Sequence, residues 1–300
     1  MKKTLSLFAA ALLLGACTKD LDIDFDDMEP QVVVMSCVEP DTTLSLRLNY
    51  SRFFLSSQPF VAIDNAAVSL SVNGGSALAP TSAAGGNYAF ALRPQPGDRL
   101  DLQVDVPGKG TVAASTTVPG APQVENISAS LTETDGNDRT YSLRFTLHDP
   151  DGEGNFYLIR CLVRRHFVYN GTVEFEDEYR PFTCNDYMLT EGMDMGTLLD
   201  SDNPGEFSGR SLFFTDANIN GRGHEVALST ELYYNDRELY LEITSYSRDR
   251  YLYEITADQY TDDPFESLIA EPVQVHTNID GGIGIFAART RTLVPIPLPQ

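Results

Sequence analysis

The four histidines of this 300-residue chain, His148, His166, His224 and His276, are the side chains best suited to acid–base work, and they are scattered. No HExxH, no GxSxG and no cysteine beside a histidine is present, so neither a zinc-protease nor a serine-hydrolase signature can be read. A hydrolase assembled from distant residues stays open, because catalytic groups need not be neighbours in sequence. Asp149-x-Asp151-x-Glu153-Gly154-Asn155 sets acids and a glycine in the order of a calcium loop. The residue that should supply the bidentate glutamate is Arg160, and a strand pattern follows where a helix should. A tight turn is the favoured reading, with weak calcium binding as its alternative. Gly281-Gly282-Ile283-Gly284 lacks the lysine of a phosphate loop and reads as a turn that lets backbones approach closely. No CxxC or histidine-rich cluster supports a zinc site. No catalytic residue, metal site or cofactor is therefore assigned.

Cys17 carries a different chemistry. Lys2 and Lys3 precede an apolar run, Leu5 to Leu14, of about ten residues, which suits a signal peptide and is too short to span a bilayer. The run closes on Leu14-Gly15-Ala16-Cys17. This order resembles the lipobox of bacterial lipoproteins. The resemblance implies cleavage before Cys17 and lipid, palmitate included, on its sulfur and new amino group. An ordinary secreted protein with an incidental Cys17 is the alternative. Residues 18–30 alternate acids with other residues, as in an extended tether. Lys19-Asp20 and the following acids resemble the surface-export signal of Bacteroidetes lipoproteins. That favours an outer-membrane location facing the cell exterior over a periplasmic orientation. No later stretch approaches the ~20 apolar residues of a transmembrane helix.

With Cys17 given to lipid, Cys37, Cys161 and Cys184 remain, an odd number in an oxidising compartment. Cys161–Cys184 is the candidate disulfide, and two free buried thiols are the alternative. Cys37 lies in an apolar run and reads as a small buried hydrophobe.

The formal charge is −22, from 43 acids against 21 lysines and arginines, which argues against a nucleic-acid partner. A hydrophobic content of 42% is enough for real cores, and the length suggests two domains. From residue 31 the apolar residues alternate: Leu44, Leu46, Leu48; Val68, Leu70, Val72; Leu100, Leu102, Val104, Val106. Turn residues separate these runs at spacings that suggest an all-β fold, with about seven strands before Val118. The expected class is mainly β. An immunoglobulin-like or transthyretin-like β-sandwich at 31–118 would precede a second, mainly antiparallel β domain at 123–300 with one helix near its C-terminus. Val32–Val38 reads as a strand buried on both faces. Pro119-Gly120-Ala121-Pro122 marks the boundary. Later strands are expected at Tyr141–Leu147, Phe156–Arg165, Thr172–Phe182, Ser211–Thr215, Glu225–Tyr234 and Glu238–Tyr246, with a hairpin signal at Asn170-Gly171. Arg248–Tyr260 reads as a helix with Ser247 as N-cap. Residues 183–210 read as a long excursion with one helical turn near Thr197–Leu199. Its Met188, Met193 and Met195, with surrounding acids, suit an adaptable docking segment, with a disordered surface loop that has no partner as the alternative.

Several segments in order resemble one family: the lipobox and acidic tether, Pro30-Gln31-Val32-Val33-Val34, Asn65-Ala66-Ala67-Val68-Ser69-Leu70 and Thr116-Thr117-Val118-Pro119. The Asp149-to-Tyr157 turn, the tyrosine-rich helix and Asn278 to Phe286 complete the set. Together they resemble the Bacteroidetes lipoprotein family called domain of unknown function 4249, over almost the whole mature chain. Met35-Ser36-Cys37 and the Met193 region depart from its usual pattern. The resemblance implies an accessory lipoprotein of a TonB-dependent transporter that aids nutrient capture or uptake, with no catalytic residues to carry over. A structural or adhesive lipoprotein and a surface hydrolase are the alternatives. Twelve of the 14 tyrosines lie after residue 137, so aromatic recognition belongs to the second half if it occurs anywhere.

Overall fold

A computed structural model describes residues 29–53, 56–152, 154–191, 206–258 and 274–299. The chain divides into a small unit, Met1–Pro30 with Arg52–Pro59, and a large one, Gln31–Ser51 with Phe60–Gln300. In the small unit, the Ser56 amide donates to the Phe53 carbonyl at 3.0 Å.

The large unit is mainly β. Its first strands are β1 (Val32–Val38), β2 (Ser45–Tyr50), β3 (Ala67–Val72), β4 (Ser82–Ala84), β5 (Asn87–Ala89), β6 (Arg99–Val106) and β7 (Gly110–Thr117). There follow β8 (Gln123–Asp135), β9 (Asp138–His148), β10 (Phe156–Tyr169), β11 (Thr172–Arg180) and β12 (Phe182–Cys184). Helix α1 (Tyr187–Thr190), β13 (Phe207–Gly209), β14 (Leu212–Thr215), β15 (Gly223–Tyr233), β16 (Glu238–Tyr246), helix α2 (Arg248–Asp258) and β17 (Ile283–Ile296) complete it. Alternation explains most of the strands: in β6, Leu100, Leu102, Val104 and Val106 are buried while the residues between them are not.

Three sheets result: a nine-stranded sheet ordered β11-β10-β16-β17-β1-β2-β5-β4 with β14 also on β10, a five-stranded sheet β13-β12-β15-β9-β8, and a three-stranded sheet β3-β6-β7. One core gathers Val34, Leu46, Leu48, Leu70, Leu102 and Val104 with Phe286 and Ala288. A second gathers Leu143, Phe145, Ile159, Val163, Val226 and Leu241. The two cores lie to either side of Pro119–Pro122 in sequence, except that Ile279 joins the first and β17 serves both. Residues 283–288 of β17 pair in parallel with β1, and residues 289–296 pair antiparallel with β16. The Pro119 and Pro122 carbonyls accept from Thr290 and Thr292 of that same strand, at 2.7 and 3.3 Å.

Glycine makes the junction feasible. A Cβ on Gly282 would lie 2.7 Å from the Val32 carbonyl oxygen, and one on Gly281 would lie 2.9 Å from that of Thr111. Gly284 has φ +109 and sits against the Val34 carbonyl. The segment is thus used for close backbone approach.

Two expectations are corrected. β1 is buried on one face only: Val32, Val34, Ser36 and Val38 are buried, while Cys37 is exposed rather than a core residue. Its other face is the outer side of the nine-stranded sheet. Ser247 does not cap α2 with its hydroxyl. Its carbonyl accepts from Tyr251, but its Oγ accepts from the Ala288 amide of β17. The proposed turn at Thr197–Leu199, Met193, Met195 and the middle of the 183–210 excursion lie outside the described residues. The described part of that excursion contributes Cys184, Leu189 and Phe207 to the second core.

Candidate functional site

The sequence candidates disperse. Cys17 lies outside the described residues. Cys161 and Cys184 are buried in one core as free thiols, not joined in the structure. Burial pushes their thiols up, to about 12 and about 11. Such thiols are poor nucleophiles at neutral pH. Mass spectrometry of non-reduced peptides is expected to recover the two cysteines separately; a linked pair would contradict this geometry.

The Asp149 carboxylate is buried, accepting from the Tyr157 hydroxyl at 2.6 Å and the Gly221 amide at 3.0 Å. Burial raises its pKa, against the lowering effect of those two donors. Nearby Asp216 accepts from Gly154 and Asn155. Asp149 is therefore spent on pinning the turn; Glu153 lies outside the described residues. Among the described residues, no group of three or more His, Cys, Asp or Glu side chains is placed to hold a metal ion.

Each histidine pairs with an acid: His148 with Glu125 at 3.3 Å, His166 with Glu238 at 3.2 Å, His224 with Asp186 at 2.6 Å and His276 with Asp249 at 2.9 Å. Neither of the two short pairs has a serine or cysteine side chain hydrogen-bonded to its imidazole among the described residues.

The concentration of interacting groups lies instead on the outer face of the nine-stranded sheet. Even-numbered residues of β10 point there, because its odd-numbered Tyr157, Ile159, Cys161 and Val163 fill the second core. Register places Arg160 opposite Glu242 and Arg164 opposite both Glu238 and Asp177. At one end α2 covers this face: Tyr251 packs on Phe156 and Phe213, with ring centroids 4.9 and 6.2 Å apart. Next comes Glu242, only 2% exposed, accepting from the Tyr179 hydroxyl at 3.0 Å and Arg291 at 3.3 Å. Arg160 stacks on the Tyr179 ring at 4.7 Å and donates to Ser211 at 2.9 Å.

Farther out, Arg164 lies over Phe175 at 4.3 Å and Tyr240 at 5.2 Å, while Asp177 grips its guanidinium through two bonds of 2.7 and 2.8 Å. That bidentate bond holds the Asp177 carboxyl below its ordinary range. The Glu238 carboxyl is likewise held low, first by His166 and then by the Tyr240 hydroxyl. The tip of the β10–β11 hairpin then exposes Val168, Val173 and Phe175, at 71, 69 and 58%. The Asn170-Gly171 turn that makes this tip has both residues at positive φ, as a two-residue hairpin requires.

This arrangement offers stacked planar groups held rigidly by ion pairs, beside an apolar tip. These flat aromatic and guanidinium surfaces have little rotamer freedom left to lose. Sequence reading missed Arg160, Arg164, Tyr179, Tyr240 and Glu242. The signal was present as Arg160-x-Leu162-x-Arg164 facing Glu238-x-Tyr240-x-Glu242, with opposite charges at matching alternate positions of two strands.

The family profile described as Domain of unknown function (DUF4249) matches residues 18–292. The chain belongs to this family. For this DUF4249 member no curated protein matches. Among solved structures, the sporulation control protein Spo0M of Bacillus subtilis aligns at 8% identity and TM-score 0.21, over 60% of this chain and 51% of that one. A structure described as manganese lipoxygenase of Gaeumannomyces graminis with partial zonadhesin of Komagataella pastoris aligns at 9% identity and TM-score 0.17. That alignment covers 72% of this chain and 88% of the other. Neither likeness bears on the fold or activity of this DUF4249 chain.

Proposed function

We propose that the protein is an outer-membrane lipoprotein, held by lipid on Cys17 and facing the cell exterior. Its role is that of an accessory subunit of a TonB-dependent transporter, aiding capture or uptake of a nutrient. The observation that carries this reading is the order Lys2-Lys3, apolar run, Leu14-Gly15-Ala16-Cys17 and acidic tether in a chain of the DUF4249 family. Several acyl chains on one residue give stable anchoring, since each buried methylene contributes about 0.8 kcal/mol. No helix among the described residues is long and apolar enough to cross a membrane. The outer face of the nine-stranded sheet supports a binding role, because its aromatic and guanidinium groups are prepositioned.

Cys17→Ser is expected to abolish incorporation of labelled palmitate and to release the protein from the outer-membrane fraction. A variant that still labels and stays in that fraction would overturn the anchor.

A further inference from the structure

We propose that the free edge of β11 docks an extended strand from a protein partner, one in which basic residues alternate with apolar ones. The proposal deepens the accessory reading by naming the segment that docks, and rests on that reading only for the partner's identity.

β11 ends the nine-stranded sheet, with β10 on one side and, among the described residues, no strand paired on the other. The two-residue turn fixes which backbone groups are free. Residues flanking such a turn, here Tyr169 and Thr172, form a hydrogen-bonded pair, and bonded and non-bonded pairs then alternate. Glu174, Glu176 and Glu178 therefore bond inward to β10, while Val173, Phe175, Asp177 and Tyr179 aim N–H and C=O at the open edge. The Tyr179 carbonyl fits this phase, because it accepts from the Arg210 side chain at 3.2 Å and not from β10. Up to Asp177 the edge remains available for main-chain pairing.

The side chains state what strand would fit. On the outer face, an added strand would run beside exposed Val173 and Phe175. On the opposite face it would run beside Glu174 and Glu176, which are exposed and have no ion-pair partner among the described residues. Phe167 and Tyr169 stand on that same face, across from Glu174 and Thr172. A strand carrying Lys or Arg at alternate positions satisfies both glutamates while its apolar residues meet Val173 and Phe175.

A second copy of the chain fits worse. Two β11 edges related by a two-fold axis pair antiparallel, and every register centred on residues 174 to 176 opposes Glu to Glu. Like charges directly opposite one another destabilise a strand pair. Unpaired edges are usually blunted by charged side chains, lysine above all, by proline or by a bulge. β11 has no lysine or proline and an unbroken register, and its acids Glu174, Glu176, Asp177 and Glu178 repel an acidic strand but not a basic one.

The test is titration of the full chain with synthetic nine-residue peptides alternating Lys with Val or Glu with Val, read by fluorescence anisotropy and amide hydrogen exchange. The Lys–Val peptide is expected to bind and to protect the Val173, Phe175 and Asp177 amides, while the Glu–Val peptide is not. Glu174→Lys with Glu176→Lys, both at the surface, should weaken Lys–Val binding at least tenfold. Phe175→Pro removes an outward N–H without breaking a bond to β10 and should abolish binding. Absence of Lys–Val binding to the folded wild type, or binding that survives the double charge reversal, would overturn the proposal. So would a dimer of the free protein that Phe175→Pro dissociates, because the edge would then belong to a second copy. Each outcome is read without the transporter, so it separates the edge from the accessory role.

Discussion

Gly284→Ala is expected to cost about 3 kcal/mol or more in chemical denaturation, the largest effect of a Gly→Ala change among the described glycines. At φ +109 the residue sits where L side chains are strained, and a Cβ there would be driven into the Val34 backbone. Neither obstacle can be relieved locally, because Val34 is a core residue of β1 and is paired in register with Gly284. Moving it would open the parallel ladder through which β17 joins the two cores. Gly108→Ala is the control. Gly108 also has positive φ, at +79, but its Cβ would meet nothing within 4 Å, so about 1 kcal/mol is expected. Equal losses for the two variants would mean that backbone strain alone, not the closed β1–β17 junction, sets the cost.

Asp236→Asn should cost about 3–5 kcal/mol, for a different reason. The Asp236 side chain has no exposed surface and accepts from Arg165 at 2.8 Å, Arg180 at 2.8 Å and the Tyr233 amide at 3.0 Å. Arg180 is itself buried and lies over the Tyr233 ring at 4.3 Å. Neutralising Asp236 would leave that guanidinium with only Glu178, which is at the surface edge of the network. Burial alone would raise the Asp236 pKa, but Arg165, the Tyr233 amide and Arg180 together bring it below its ordinary value. A carboxyl whose folded pKa is depressed stabilises the fold above its unfolded pKa, about 3.9, and loses that contribution as pH falls through the folded value. The gap in stability between wild type and Asp236→Asn should therefore be full at pH 7 and shrink below about pH 4. A gap independent of pH down to 3 would contradict the charge-based account.

Local pattern carried much of the architecture. Alternation at Leu100–Val106 and Tyr141–Leu147 is strand geometry written directly in residue types, and Asn170-Gly171 specifies its hairpin because both positions need positive φ. What stayed hidden depends on partners far apart in sequence. Nothing near Ile283 announces that β17 will pair with Val33–Val38 at the other end of the chain. Val32–Val38 looked buried on both faces because Met35 and Cys37 are apolar in type, yet Cys37 stays exposed on the outer side of the sheet. The Asp149 turn was legible as a turn, but not that its carboxylate faces inward to Tyr157 and to Gly221, a residue no local motif connects to it. The stacked face followed the same rule. Arg164 was readable as a strand residue, while its place between Phe175 and Tyr240 required the register of three strands.

The accessory role is tested most directly by native purification of the lipid-anchored protein from detergent-solubilised outer membranes, with co-purifying proteins identified by mass spectrometry. The account predicts strong enrichment of one TonB-dependent transporter over a tag-only control, retained through a size-exclusion step. Recovery of the protein from the outer membrane with no such transporter enriched would contradict it.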